Sequence, residues 1–95
     1  VQQSESPLYH TDSIIKDLRN DMGEAGFDSV ATLPFPQPVY PSGWWSCTLA
    51  GKGCDVKSFR EEDAAAATFA RDFYTVEGHR AALVLPPFMQ RLLEK

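Results

Sequence analysis

Gln3, Glu5, Tyr40 and the two tryptophans, Trp44 and Trp45, are the residues of this 95-residue chain whose types could work together on a ligand. A carboxamide and a carboxylate accept hydrogen bonds from an amine, aromatic faces attract a cation, and apolar walls accommodate methylenes. Such a set, with little formal charge, suits an alkylamine. The other chemistry-bearing residues stand apart from one another. His10 falls just inside a helix start, where an exposed or capping role accounts for it. His79 opens the apolar run HRAALVL and reads as a structural hydrogen-bonder. Cys47 and Cys54 have neither CxxC nor Cys/His spacing, so no metal site is expected. Free thiols are the default for this pair, and a disulfide closing the turn between them is the alternative. Glu61, Glu62 and Asp63 read as a solvated helix start. No glycine-rich nucleotide loop and no nucleophile elbow occurs.

The stretch 33–50, LPFPQPVYPSGWWSCTLA, must deliver Tyr40 and the indoles. Its four prolines, Pro34, Pro36, Pro38 and Pro41, each fix φ and remove a backbone donor, which excludes helix and central strand. A stiff extended loop ending in the turn Tyr40-Pro41-Ser42-Gly43 is expected, with Trp44 and Trp45 directly after it. The aromatic pattern alone leaves two readings open, a ligand wall or the cap of a core.

Around this stretch the chain reads as mixed α/β. Ser6-Pro7 is a helix entry, serine at the N-cap and proline at the first helical position. Ile14, Ile15, Leu18 and Met22 follow at helical spacing, and Gly23 and Gly26 end the helix. Residues 27–33 and 44–50 read as two strands of an antiparallel pair. Residues 59–70 read as a second helix and 72–76 as a short edge strand. Residues 78–85 and 88–93 read as two terminal helical pieces, with Arg91 and Lys95 favouring the negative pole of the last one. If residues 1–3 end a parallel strand, Gln3 and Glu5 lie at its carboxyl edge, where open α/β sheets bind ligands.

Composition sets limits on these readings. One domain or part of one is expected, burying only about 60–65% of its unfolded surface. With 43% hydrophobic and 23% charged residues, the chain reads as an ordinary globular sequence. A net charge of −4 without a basic stripe argues against nucleic acid. No apolar run approaches the ~20 residues that span a bilayer. The start at Val1, and a first helix with no strand before it, point to a fragment of a doubly wound protein.

Three segments, QQSESPLYHTDSIIKDLR, LPFPQPVYPSGWWSCTLA and FYTVEGHRAALVLPPFM, together resemble the C-terminal third of a spermidine synthase, a polyamine aminopropyltransferase. They carry a Q-x-E-S-P strand-to-helix junction, a Y-P-S-G turn running into a strand, and a Y-x(4)-H-x-A-A-x-x-L-P terminal helix. The resemblance covers essentially all of the chain, so residues 1–95 are expected to be a C-terminal fragment of the catalytic domain. It implies part of a Rossmann-like sheet of the S-adenosylmethionine-dependent methyltransferase type, with a helix, an antiparallel strand pair and C-terminal helices.

The resemblance also implies a reaction. Such enzymes transfer an aminopropyl group from decarboxylated S-adenosylmethionine to putrescine, giving spermidine and methylthioadenosine. Their catalytic aspartate and nucleoside loop lie upstream, so no catalytic residue is expected in this chain. By position, Gln3, Tyr40 and Trp45 match the putrescine pocket, Glu5 is a secondary candidate, and Trp44 goes to packing. Thr75 stands where many relatives have asparagine, which puts any hydrogen bond there in question. A cytoplasmic protein and a homo-oligomer are expected. Strands missing from the sheet would leave apolar faces open, including Ile14, Ile15 and Leu18, so self-association by sheet-edge pairing or an exchange of elements is expected. Two other readings remain open. One is a polyamine-binding or assembly module without the chemistry, and the other is a spermine- or thermospermine-forming relative.

Overall fold

The computed structural model describes residues 1–94, which form a three-stranded sheet with helices packed against it. The helical run after the first strand falls into α1 (Pro7–His10), a π turn (Thr11–Ile15) and α2 (Lys16–Glu24). Pro7 follows Ser6 as the entry signal requires, and the Thr11 hydroxyl bonds back to the Pro7 carbonyl one turn earlier. Such back-bonding competes with the helical ladder and accompanies the widened turn. The run ends in a Schellman motif, with Gly26 at φ 103°, Gly26 N–H on the Gly23 carbonyl and Phe27 N–H on the Met22 carbonyl. Ile15 is fully buried whereas Ile14 is 44% exposed, so Ile15 belongs to the core and not to an open apolar face.

The sheet order is β1-β3-β2, with β1 (Gln2–Gln3), β2 (Ser29–Pro36) and β3 (Trp44–Gly51), and both pairings are antiparallel. Residues 1–3 are thus not seen as a parallel strand. Among the described residues their pairing is antiparallel to β3, with Gln3 opposite Cys47. β2 also runs three residues further than expected, through Pro34 and Pro36. The register explains why it can. Gln37 N–H bonds the Gly43 carbonyl, so the odd-numbered residues of β2 bond to β3 and the even-numbered ones turn their amide positions to the free edge. Prolines at 34 and 36 therefore remove no ladder bond, as suits an edge strand. The extended loop expected between the strands is therefore absent, and residues 37–40 form a tight turn in which Tyr40 N–H bonds the Gln37 carbonyl at 3.1 Å.

The turn expected at residues 40–43 is present. Gly43 N–H bonds the Tyr40 carbonyl, and Ser42 at φ 70°, ψ −14° takes the third position of a type II turn behind Pro41. Beyond β3 lie α3 (Glu61–Ala66), α4 (Val76–Ala82) and α5 (Pro87–Leu93). α3 is shorter than expected because the chain turns extended at Ala67 (ψ 133°).

The edge strand expected at 72–76 does not form. Tyr74 and Thr75 are engaged by α4 instead, and Val76 is its first residue. This segment and residues 83–85 run beside the free edge of β2, leaving an apolar groove of about 380 Å³ between Leu33–Pro36 and Phe73, Tyr74 and Ala82. Lys95, expected at the pole of the last helix, lies outside the described residues.

Candidate functional site

Gln3, Tyr40 and Trp45 come together at the end of β1 where it meets β3. Trp45 follows the turn as the second residue of β3, and Gln3 lies two positions along on the neighbouring strand, on the same face. The Trp45 indole Nε1–H donates to Gln3 Oε1 at 2.8 Å. The Tyr40 ring packs on the Trp45 ring with centroids 4.4 Å apart and planes tilted by 46°. Gln3 and Tyr40 are exposed and Trp45 is half-buried, so the three form an open wall and not a closed cavity. The apolar groove beside β2 contains none of them.

Because the indole holds Oε1, the orientation of the Gln3 carboxamide is set. One lone pair of that oxygen and both protons of Nε2 remain for a ligand. None of the three groups is a base at neutral pH. They can bind and orient an amine, with the Trp45 and Tyr40 faces available to a cation or its methylenes, but they cannot accept its proton.

Glu5 follows at φ 71°, a left-handed conformation that costs a residue with a side chain about 1 kcal/mol. Its carbonyl is held by the Ser46 hydroxyl at 2.8 Å. Among the described residues its carboxylate has no hydrogen-bond partner, so what the fold holds is the Glu5 backbone. Trp44 points to the opposite face, its ring 6.0 Å from that of Phe88 in α5.

Behind the wall lies a feature that sequence reasoning missed. Ser4, Thr32, Ser46 and Thr48 are all buried on the helix-facing side of the sheet. Their hydroxyls are linked: Thr32 to Thr48 at 3.2 Å, Thr48 to Ser4 at 3.0 Å and Ser4 to Ser46 at 2.7 Å. Arg19 of α2 donates from Nη1 to the Thr32 hydroxyl at 3.0 Å, and burial lowers the pKa of its guanidinium. A fifth hydroxyl, Ser6, meets Ser42 of the turn at 2.8 Å and so ties the start of α1 to the loop carrying Tyr40. No buried side-chain nitrogen or oxygen among the described residues is left without a partner. The available signal was the spacing Ser46-x-Thr48, two hydroxyls on one face of a strand, but its meaning depends on the register of three strands.

The remaining candidates have structural partners. The Tyr74 hydroxyl meets His79 Nδ1 at 2.8 Å, and the His79 ring stacks on Phe59 at 3.6 Å. Thr75 caps α4, its hydroxyl accepting from Gly78 N–H at 2.9 Å. Threonine thereby fills a position for which asparagine is equally suited. Cys47 and Cys54 are both free thiols, and burial raises the pKa of Cys47. The exposed Arg80 is bonded to Glu61, which raises its pKa. Among the described residues no cluster of His, Cys, Asp or Glu could hold a metal ion, and no helix is long and apolar enough to cross a membrane.

No protein-family model matches the chain. It is 54% identical over 94 residues to the polyamine aminopropyltransferase of Stenotrophomonas maltophilia (strain R551-3), covering 99% of this chain and 33% of that protein. The enzyme of the same name from Alkalilimnicola ehrlichii is 53% identical over 93 residues, covering 98% and 32%. Among solved structures, the spermidine synthase from Thermotoga maritima superposes with a TM-score of 0.82 at 29% identity, covering 97% of this chain and 31% of its own. A spermidine synthase in complex with the transition state analogue AdoDATO gives the same TM-score and identity, covering 97% and 32%. The chain thus spans about a third of the length of the curated relatives it matches. The sheet and helices are that part of a Rossmann-like, methyltransferase-type fold.

Proposed function

We propose that this chain, homologous over nearly all its length to a third of the polyamine aminopropyltransferases, is the C-terminal third of such an enzyme and supplies the diamine wall of its active site. The observation that carries this reading is the Gln3–Trp45–Tyr40 constellation, joined by one hydrogen bond and one ring contact although Gln3 lies far from the other two in sequence. The parent enzyme is a spermidine synthase, transferring the aminopropyl group of decarboxylated S-adenosylmethionine to putrescine. The amine lone pair attacks the carbon beside the sulfonium, the carbon–sulfur bond breaks and its electrons leave on sulfur as methylthioadenosine. The ammonium formed then loses a proton. Gln3, Tyr40 and Trp45 bind and orient the diamine, with Glu5 in a supporting place at the rim. The proton acceptor and the nucleoside site are supplied from outside these residues.

The chain alone therefore turns nothing over, and measurable spermidine from putrescine and decarboxylated S-adenosylmethionine would overturn this. The decisive experiment replaces the matching third of a polyamine aminopropyltransferase with this chain. The chimera should form spermidine, and Gln3→Ala or Trp45→Ala should raise the putrescine KM about tenfold or more with the co-substrate KM unchanged, as loss of a binding group requires. A folded chimera without transfer, or variants with an unchanged putrescine KM, count against the reading. The protein is cytoplasmic and homo-oligomeric in this reading, and the isolated chain self-associates through its half-exposed sheet face. A strictly monomeric species in sedimentation at high concentration would contradict that last point.

A further inference from the structure

We propose that Arg19 is a positioning residue for the Gln3–Trp45 pair, acting through a one-way chain of buried hydroxyls that ends on the Glu5 carbonyl. The direction of the chain follows from counting protons, because each hydroxyl has one to give. Ser46 gives its proton to the Glu5 carbonyl and Thr48 gives its own to Ser4. Ser4 must then donate to Ser46, and Thr32 to Thr48. Thr32 receives from Arg19, which has only donors. The order is Arg19, Thr32, Thr48, Ser4, Ser46, Glu5 carbonyl, with a permanent donor at one end and an acceptor at the other. Hydrogen bonds aligned in this way polarise one another.

The place of this chain gives it a role. β1 is only two residues long, and a pairing that short does not hold its register by itself. Ser4 and Ser46 directly follow Gln3 and Trp45 in sequence and face the other side of the sheet, so the hydroxyl link between them backs the Gln3–Trp45 bond. A slip of one residue would turn Gln3 to the helix side and put a buried serine at the site. Among the described residues Arg19 has no carboxylate in ion-pair range, and its guanidinium donates to the Thr32 hydroxyl instead. The inference rests on the proposed diamine site only for its consequence in the enzyme, since the geometry of the pair can be measured without ligand.

The test compares Thr48→Val, which keeps the shape and loses the hydroxyl, with Thr48→Ser, which keeps the hydroxyl. In the full chain, hydrogen exchange of the Trp45 indole N–H should quicken about tenfold in the Val variant and stay within about twofold of the parent in the Ser variant. If Thr48→Val does not fold, Arg19→Met against Arg19→Gln reads the same chain from its other end, glutamine retaining an N–H donor. Equal exchange rates within either pair overturn the proposal. In the chimeric enzyme, Thr48→Val should raise the putrescine KM and leave the co-substrate KM unchanged. Faster exchange with an unchanged putrescine KM would support the positioning role and instead overturn the assignment of Gln3 and Trp45 to the diamine.

Discussion

On β3 the side chains turned toward the helices are Trp44, Ser46, Thr48 and Ala50, and those turned away are Trp45, Cys47 and Leu49. The helix side is the better buried, yet its centre is made of hydroxyls. The other side is apolar and remains half-exposed, together with Leu33 and Phe35 of β2. An ordinary two-layer arrangement has the opposite polarity, with apolar side chains under the helices and polar ones outside. Burying hydroxyls is tolerable only when each is bonded, and here the chain from Arg19 to Glu5 satisfies all of them. One strand therefore does two tasks. Its helix side fixes register through directional bonds, which leaves its other side free to present Trp45 to a ligand.

The largest expected effect lies where the helix side is apolar. Ile15→Ala should destabilise the chain by about 2–5 kcal/mol, since the residue is fully buried and leaves a cavity. Ile14→Ala, one residue away and 44% exposed, should cost under about 1 kcal/mol. Urea unfolding of the two variants measures the difference. Equal losses would mean that the π turn does not bury Ile15 as described.

Next in size is the contrast across the sheet. Ser46→Ala leaves the half-buried Glu5 carbonyl and the buried Ser4 proton without their partner, a loss of about 1–3 kcal/mol. Cys47→Ser on the half-exposed side should cost under about 1 kcal/mol. If the cysteine replacement proves the more damaging, the assignment of roles to the two sides is reversed. The same pair sharpens the point chemically, because the harmful change here makes a site less polar and the mild one makes a site more polar.

How much of this was legible in the sequence depends on how local each signal is. The entry of the first helix at Ser6-Pro7 and its end at Gly26 were readable because such boundaries are decided within a few residues, although the Ser6 hydroxyl bonds Ser42 and caps no helix N–H. The turn at Tyr40 was readable for the same reason. The full length of β2 was not, because whether Pro34 and Pro36 break a ladder depends on which way their amide positions point, and that is set by pairing with β3. The misreading of residues 72–76 has a similar origin. Aromatic and β-branched residues suggested a strand, while Tyr74 and Thr75 were committed to side-chain bonds with α4. For the site, Gln3, Tyr40 and the tryptophans could be grouped by residue type, but choosing Trp45 over Trp44 needed the resemblance, since nothing in the spacing predicts a bond from Trp45 to Gln3. The hydroxyl chain was out of reach, as it joins three strands and a helix.

Thr75 offers a milder version of the buried hydroxyls, because its bond to Gly78 N–H lies at the surface. Thr75→Ala should cost about 1 kcal/mol, the ordinary worth of an N-cap, and Thr75→Asn should cost under about 0.5 kcal/mol. A Cβ at Gly78 would stand 2.9 Å from the Thr75 hydroxyl oxygen. Gly78→Ala therefore loosens the cap while gaining about 1 kcal/mol of helix propensity, and the two effects should nearly cancel. A clear gain in stability from Gly78→Ala would show that the cap contributes little, which would widen the difference between surface and buried hydroxyls.

The smallest expected effect concerns the half-exposed side, at Cys47. Burial raises the pKa of its thiol because the neutral form is favoured where water is partly excluded. An acid whose pKa is higher in the folded state binds more protons there than in the unfolded chain over the interval between the two values. Its contribution to stability is therefore complete below the unfolded thiol pKa and is lost as pH rises through the folded one. Thermal unfolding followed from neutral to alkaline pH should show this loss in the parent and in a Cys54→Ala variant, since Cys54 is exposed. It should be absent from Cys47→Ala. A slope that follows Cys54 instead would mean that the side of the sheet carrying Trp45 is as open to water as the loops, and the contrast between the two sides of β3 would lose its physical basis.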